Sequence, residues 1–402
     1  MNSNYSSGLN PLQLPLVRGR AKPAPPLKWV KQAIRAADAR TRGGWEGFGS
    51  NGLSGMKQTS HNQIVPQASF QRGLSLIELM ISITIGLLVL VALSTLFVNQ
   101  SKTRSELDKS NRMIDNGRYA LELLSGDLRV AGFYGEFTPT SGVPAIPATL
   151  PNPCSTSAAD ISAALQLAVQ GYDAAGPAST ISSPPCSLTN TAGSALSLKP
   201  GSDIFVIRRA STATPIVQGV ALSGVHYIQA SLCEYDSAQY IVDTTPANFT
   251  LRIKGCTATS TTPYADLRNM LVHVYFVSPD NNVGDGIPTL KRRELDPTTH
   301  VFVTTPLVEG IEYMQVEYGL DTNSDGTADS YEETPAATDW PNVVALKVNL
   351  LARNTEATKG YTDTKTYSLG LAGTVAPNDD YKRHSYNQFV RLTNPAGRRE
   401  MP

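Results

Sequence analysis

The feature that most constrains this chain is an apolar run from Leu74 to Val98, 25 residues broken by one charge, Glu78. A bilayer core about 30 Å thick needs roughly 20 helical residues, so the run is long enough to span it. Arg72 stands just before the run, and basic residues stay on the cytoplasmic side, so everything beyond about residue 99 is expected across the membrane. A secretory signal would have a shorter run followed by a small-residue cleavage site, and Val98-Asn99-Gln100-Ser101 does not read as one. An ionised carboxylate within such a span costs on the order of 3 kcal/mol, so Glu78 calls for a partner.

The formal net charge is zero, yet residues 1–73 hold ten Lys/Arg against Asp38 and Glu46, leaving 24 basic and 32 acidic residues for the remainder. A mildly acidic body gives no reason to expect contact with nucleic acid. All four cysteines, Cys154, Cys186, Cys233 and Cys256, lie beyond the span, where an oxidising compartment favours two disulfides. Three pairings are open. The sequential one, Cys154 with Cys186 and Cys233 with Cys256, closes the shortest loops and is preferred.

Past Val98 the chain turns polar but keeps a helical period: Leu107, Ile114, Leu121 and Leu128 fall seven apart and Leu124 joins them. One helix is therefore expected from Leu74 to about residue 131, roughly 87 Å long, with Gly132 and Gly135 suited to ending it. After a Pro/Ser/Thr-rich stretch with a short helix near residues 161–169, strand patterns recur at 203–208, 225–230, 270–277, 308–318, 343–352 and 388–392. In the third, His273 and Tyr275 take one face while Val272, Val274 and Phe276 take the other. No helices separate these strands, so the expected fold class is α+β: a long N-terminal helix, transmembrane and then amphipathic, packed on an antiparallel sheet.

The residues Gln71-Arg72-Gly73-Leu74-Ser75-Leu76-Ile77-Glu78-Leu79-Met80 resemble the prepilin signature of type IV pilins. The resemblance implies a precursor that a prepilin peptidase cuts between Gly73 and Leu74 and methylates at the new terminus, where the family usually has Phe. It also implies that Glu78 pairs with the terminal ammonium of a neighbouring subunit during assembly. Asn116-Gly117-Arg118-Tyr119-Ala120-Leu121-Glu122-Leu123-Leu124, Asp127 to Gly135, Pro288 to Arg293 and Tyr386 to Asn394 are similar to PilW-type minor pilins.

The implied protein is an inner-membrane, single-pass subunit with a periplasmic domain, which then enters the pilus filament. It would prime assembly at or near the tip, support twitching, adhesion or DNA uptake, and meet other minor and major pilins and a tip adhesin. The expected organisation is a leader at 1–73, a filament-core helix at 74–98, its amphipathic continuation at 99–135 and a globular β-rich domain at 136–402. Residues 1–55 are expected to be an over-extended start or a dispensable tail, with Met56 as the alternative start.

Two other readings compete. A minor pseudopilin of type II secretion shares the anchor, and a signal-anchored periplasmic hydrolase shares the topology. Against the hydrolase, His61, His226, His273, His300 and His384 are scattered, and no H-E-x-x-H, G-x-S-x-G, P-loop or dinucleotide fingerprint occurs. The chain is read as non-enzymatic.

Asp321 to Glu332 fits the calcium-loop pattern D-x-[DN]-x-[DN]-G-x5-E at each fixed position. Expected ligands are Asp321, Asn323, Asp325, the Thr327 carbonyl, Asp329 and Glu332, with Gly326 at the turn. The lead-in through Tyr313, Gln315, Glu317 and Leu320 reads as a strand, so the expectation is a structural calcium ion in a loop on a β-scaffold. The competing reading is an acidic hairpin turn, since Asp-Gly is itself a turn signal.

Overall fold

The computed structural model describes residues 75–139, 144–181, 184–186, 197–296 and 301–400. All but Ser75 belong to one compact unit, Leu76–Pro402. The expected cleavage pair Gly73 and Leu74, the alternative start Met56, and His61 and His300 lie outside the described residues.

Helix α1 is a single element, Leu76–Arg129, 54 residues and about 80 Å long. No proline interrupts it, and hydroxyls of its front half bond back to its own carbonyls. The hydroxyls of Ser82, Thr84, Ser94 and Thr95 donate to the carbonyls of Glu78, Ile81, Leu90 and Ala92 at 2.6–2.8 Å. A hydroxyl bonded back to its own helix needs no water, as an apolar surrounding requires. The large apolar side chains from Leu76 to Val98 are all exposed, and among the described residues α1 is the one helix long and apolar enough to cross a membrane. Its far end stops at Gly132, whose φ of 71° lies in the left-handed region and whose N–H donates to Arg208 O at 2.9 Å.

The rest is antiparallel. A seven-stranded sheet holds β1 (Val169–Tyr172), β2 (Ile204–Ala210), β3 (Tyr227–Ala230), β4 (Tyr240–Asp243), β5 (Leu267–Ser278), β6 (Thr289–Leu295) and β7 (Phe302–Glu309). Its order is β1-β2-β5-β3-β4, with β6 on β5 and β7 on β6. A four-stranded sheet follows, composed of β8 (Ile311–Leu320), β9 (Ser330–Glu332), β10 (Val343–Arg353) and β13 (Arg383–Arg391), in the order β13-β10-β8-β9. Strands β11 (Tyr367–Ser368) and β12 (Thr374–Val375) form a small ribbon, and short helices α2 (Ala158–Ala163) and α3 (Thr393–Arg399) complete the fold. The disulfides join Cys154 to Cys186 and Cys233 to Cys256, each with Cα atoms 5.7 Å apart.

One core joins α1 to both sheets: Met113, Ala120, Leu124 and Leu128 meet Phe205, Ile207, Tyr275 and Leu290 of the first sheet and Met314, Val316, Leu346, Val348 and Val390 of the second. Each fully buried side chain of this size contributes roughly 1.5–3 kcal/mol. The chain is thus an α+β fold with a long N-terminal helix packed on antiparallel sheet.

Three expectations need correcting. The helix does not bury a strict seven-residue stripe: Leu107 is 58% exposed, Ile114 and Leu121 are half-buried, and the packed face is Met113, Gly117, Ala120, Leu124, Asp127 and Leu128. Ile114 and Leu121 each follow a packed residue, Met113 and Ala120, by one position, about 100° round the helix, so they flank the packed face instead of forming its centre. The expected strand at 308–318 is two strands, divided at Gly310 with φ 77°, the first in the seven-stranded sheet and the second in the four-stranded one. The stretch expected to continue a helix to residue 169 ends its helix at Ala163 and enters β1 at Val169.

Gly117 marks the closest approach of α1 to β13. A Cβ there would run into the Tyr386 ring, whose hydroxyl donates to Ile114 O at 3.2 Å. Gly117→Leu is expected to destabilise the protein by about 1–3 kcal/mol through overpacking, despite a helix-propensity gain of about 0.8 kcal/mol. Denaturant unfolding of the detergent-solubilised chain checks this, and adding Tyr386→Ala should recover part of the loss.

Candidate functional site

Sequence reasoning directs attention to the front of α1 and to the acidic loop, and the fold adds a third place, the junction of the helix's far end with the sheet. Glu78 lies in the first turn of α1 with its side chain on the exposed surface. The positive end of the helix dipole favours a carboxylate at such a position.

The far end of α1 carries Asp127 into the sheet. Its Oδ2 accepts a hydrogen bond from the Tyr275 hydroxyl at 2.8 Å and lies 2.5 Å from His273 Nδ1, while Oδ1 accepts one from Arg209 Nε at 2.8 Å. On the other side of the ring, His273 Nε2 is 3.2 Å from Glu294 Oε2, and Glu294 Oε1 accepts from Arg292 at 2.7 Å. An imidazole can donate to a carboxylate from each nitrogen only when protonated. Burial works against both charges, but it is outweighed. Asp127 is held below the usual carboxylate range by His273, Arg209 and Tyr275, and His273 is held above the usual imidazole range by Asp127 and Glu294. Helix α1 and strands β2, β5 and β6 are thereby tied at one point. His273 is a packed ion-pair partner here, with its ring facing carboxylates and no nucleophile.

A second polar pin sits where the domain first touches the helix. Glu106 accepts from Lys382 Nζ and Thr358 Oγ1, both at 2.8 Å, and its carboxyl is pulled down to about 2, first by Lys382. Between these pins an apolar core is flanked by polar contacts: Lys109 donates to Ala357 O at 3.2 Å, Asn116 to Glu309 O at 3.0 Å and the Tyr386 hydroxyl to Ile114 O at 3.2 Å.

The acidic loop joins β8 to β9, which pair as Tyr318↔Glu332, Gly319↔Tyr331 and Leu320↔Ser330. Asp321 is fully buried. Its Oδ1 accepts the N–H of Ser324 at 2.6 Å and of Asp325 at 3.3 Å, and its Oδ2 accepts the N–H of Gly326 at 2.9 Å. Ser324 and Gly326 take positive φ, 68° and 80°, which folds these amides inward. Asn323 donates to Asp325 at 3.2 Å and to Asp329 at 3.3 Å, Thr327 N donates to Asp325 at 2.7 Å, and Asp329 also accepts from Thr322. Glu332 belongs to β9.

The cation nearest Asp321 is Arg399 of α3, whose Nε lies 2.7 Å from Oδ2. Burial pushes the Asp321 carboxyl up, but the Gly326 amide and Arg399 bring it below its ordinary value. Among the described residues no group of three or more His, Cys, Asp or Glu side chains is placed to hold a metal ion.

Comparison with known proteins agrees with the anchor and the domain. A family model described as the Prokaryotic N-terminal methylation motif matches residues 69–94, and one described as Type IV Pilus-assembly protein W (PilW) matches residues 274–394. The second interval runs from within β5 to the start of α3. Among solved structures, the Type IV-like pilin TTHA1219 from Thermus thermophilus is 17% identical, with 50% of this chain and 81% of that chain covered and a TM-score of 0.21. No curated protein matches. With a long helix laid on antiparallel sheet, a prepilin-type methylation motif at its front and a match to the pilus-assembly family in its domain, this chain resembles proteins of the type IV pilin and pseudopilin kind.

Proposed function

We propose that this protein is a minor pilin. A prepilin peptidase cuts its precursor between Gly73 and Leu74 and methylates Leu74. Residues 74–98 hold it in the inner membrane, with residues 136–402 in the periplasm, until Glu78 pairs with the terminal amine of a neighbouring pilin and draws the helix into a filament. There it primes assembly at or near the tip, among other minor and major pilins. The observation that supports this reading best is the division of α1. Its front, to Val98, offers an apolar surface broken by one charge, Glu78, and led by a methylation motif, and its back half is gripped by a sheet domain.

The N-terminal mass of the membrane-extracted protein tests the reading. A chain beginning at N-methylated Leu74 is expected, and retention of Met1 or Met56 overturns it. The match to the pilus-assembly family favours a pilus over a secretion filament. A deletion that stopped protein secretion while leaving twitching and DNA uptake intact would reverse that choice.

A further inference from the structure

We propose that the Asp321–Glu332 loop is the receptor for the chain's own C-terminal helix, with the Arg399 guanidinium in the place that a metal ion takes in a loop of this sequence. Four hydrogen bonds carry the inference. Arg399 donates from Nε to Asp321 Oδ2 at 2.7 Å, from one terminal nitrogen to Asp321 O at 3.0 Å and Ser324 Oγ at 3.1 Å, and from the other to Asn342 Oδ1 at 3.0 Å. A guanidinium is planar and always charged, and it satisfies several oxygens at fixed angles. It therefore supplies both the positive charge that the buried Asp321 carboxylate needs and the directional contacts that tie Asp321 and Ser324 to α3.

The loop in turn is shaped for the helix. Gly326 leaves no room for a side chain, because a Cβ there would meet the Ala396 carbonyl and Glu400. Arg391 and Glu400 form an ion pair beside it.

The rest of α3 grips the end of the spine and the second sheet. Asn394 donates to Ala131 O at 3.0 Å, Arg398 to Gly132 O at 3.1 Å, and Leu392 N to Val344 O at 2.8 Å. The C-terminal segment is thus a clasp over three elements, and Arg399 in the loop is its catch. A divalent ion at Asp321 would have to displace that catch, because Oδ2 already holds the guanidinium and the Gly326 amide.

The test uses the full chain in detergent. Thermal melts and carboxypeptidase digestion are run on the wild type, Arg399→Gln, Arg399→Lys and Asp321→Asn, each with millimolar calcium and with chelator. The wild type is expected to melt at one temperature in both conditions. Arg399→Gln should melt lower and lose its C-terminal residues at least about tenfold faster, the factor that a lost charged hydrogen bond implies. Arg399→Lys should fall between the two. Should Arg399→Gln fail to fold, hydrogen exchange on the wild type decides, with the amides of Ser324 and Gly326 expected to be equally protected in calcium and chelator. A wild-type melting point that rises in calcium, with the rise abolished in Asp321→Asn, would assign the loop to the metal. An Arg399→Gln chain with unchanged melting and digestion would leave the clasp without its catch. Either result overturns the proposal.

Discussion

Asp127→Ala is expected to cost about 3–5 kcal/mol of folding stability, the loss that follows when one partner of a buried ion pair is removed. The other partners would remain in place: the protonated His273 ring, the Arg209 guanidinium and the Tyr275 hydroxyl would face an apolar gap. Asp127→Asn should lose less, because an amide oxygen still accepts one or two of the three hydrogen bonds, though without charge. Urea unfolding of the detergent-solubilised chain at neutral pH separates the two variants. If Asp127→Ala and a surface control such as Asp108→Ala unfolded alike, the junction would be ornamental. The pairing also sets a pH window. The carboxylate's share is present above its ordinary range and fails only as pH falls through its depressed value. The share of His273 is complete below the ordinary imidazole value and is lost as pH rises through its raised one.

A second large effect should appear as pH rises from about 4 to about 8, at Asp203. This residue joins the two sheets. Its Oδ1 accepts Ala174 N at 2.9 Å, its Oδ2 accepts Val316 N of β8 at 2.8 Å, and its own N–H donates to Met314 O at 2.8 Å. The register of β1 on β2 ends at Tyr172↔Ile204, which sets Asp173 opposite Asp203, and the two side chains are hydrogen-bonded. Burial pushes the Asp203 carboxyl up to about 8, and the charges of Asp173 and Glu333 push the same way against the two amides. The folded state therefore binds this proton more tightly than the unfolded chain, whose aspartates titrate near 3.9.

Its contribution is whole below about pH 4 and is lost as pH rises through about 8, a change of up to about 5 kcal/mol across that range. Stability measured from pH 5 to 9 should fall in the wild type. The slope should shrink in Asp173→Asn and nearly vanish in Asp203→Asn. A wild-type profile that rises or stays level over that range, with both variants parallel to it, rules the mechanism out.

How much of this could be read in the chain follows from what each residue type reports. The anchor was legible because length and apolarity are one-dimensional properties, and so were β2, β5 and β10, whose β-branched runs are long. Strand β6 was not, since Thr289-Leu290-Lys291-Arg292-Arg293-Glu294-Leu295 is mostly charged and gains its strand state from pairing between β5 and β7. The break at Gly310 was hidden by apolar residues on both sides, Leu307, Val308 and Ile311.

Of the site, His273 and Tyr275 were placed on one strand face, yet their partner was missed. The available signal was an acid, Asp127, set between Leu124 and Leu128 on a helix face that otherwise buries apolar groups. The loop shows the opposite limit. The spacing of Asp321, Asn323, Asp325 and Gly326 specifies a turn of inward-pointing oxygens and amides, but not which cation meets them. Arg399 is 78 positions away in the chain, and only the folded topology brings it there.

The grip on α1 has a mechanical consequence. The domain holds the helix from Glu106 onward, pinned by charge at Glu106 and Asp127, while residues 76–105 extend beyond it as a lever arm of about 45 Å. A load applied along the helix axis strains both pins and the packed side chains between them together, in shear, so none can yield before the others. A load applied sideways at the tip of the arm concentrates on the Glu106 pin, which is partly exposed and comes off first. The chain is therefore stiff to tension along its spine and compliant to bending.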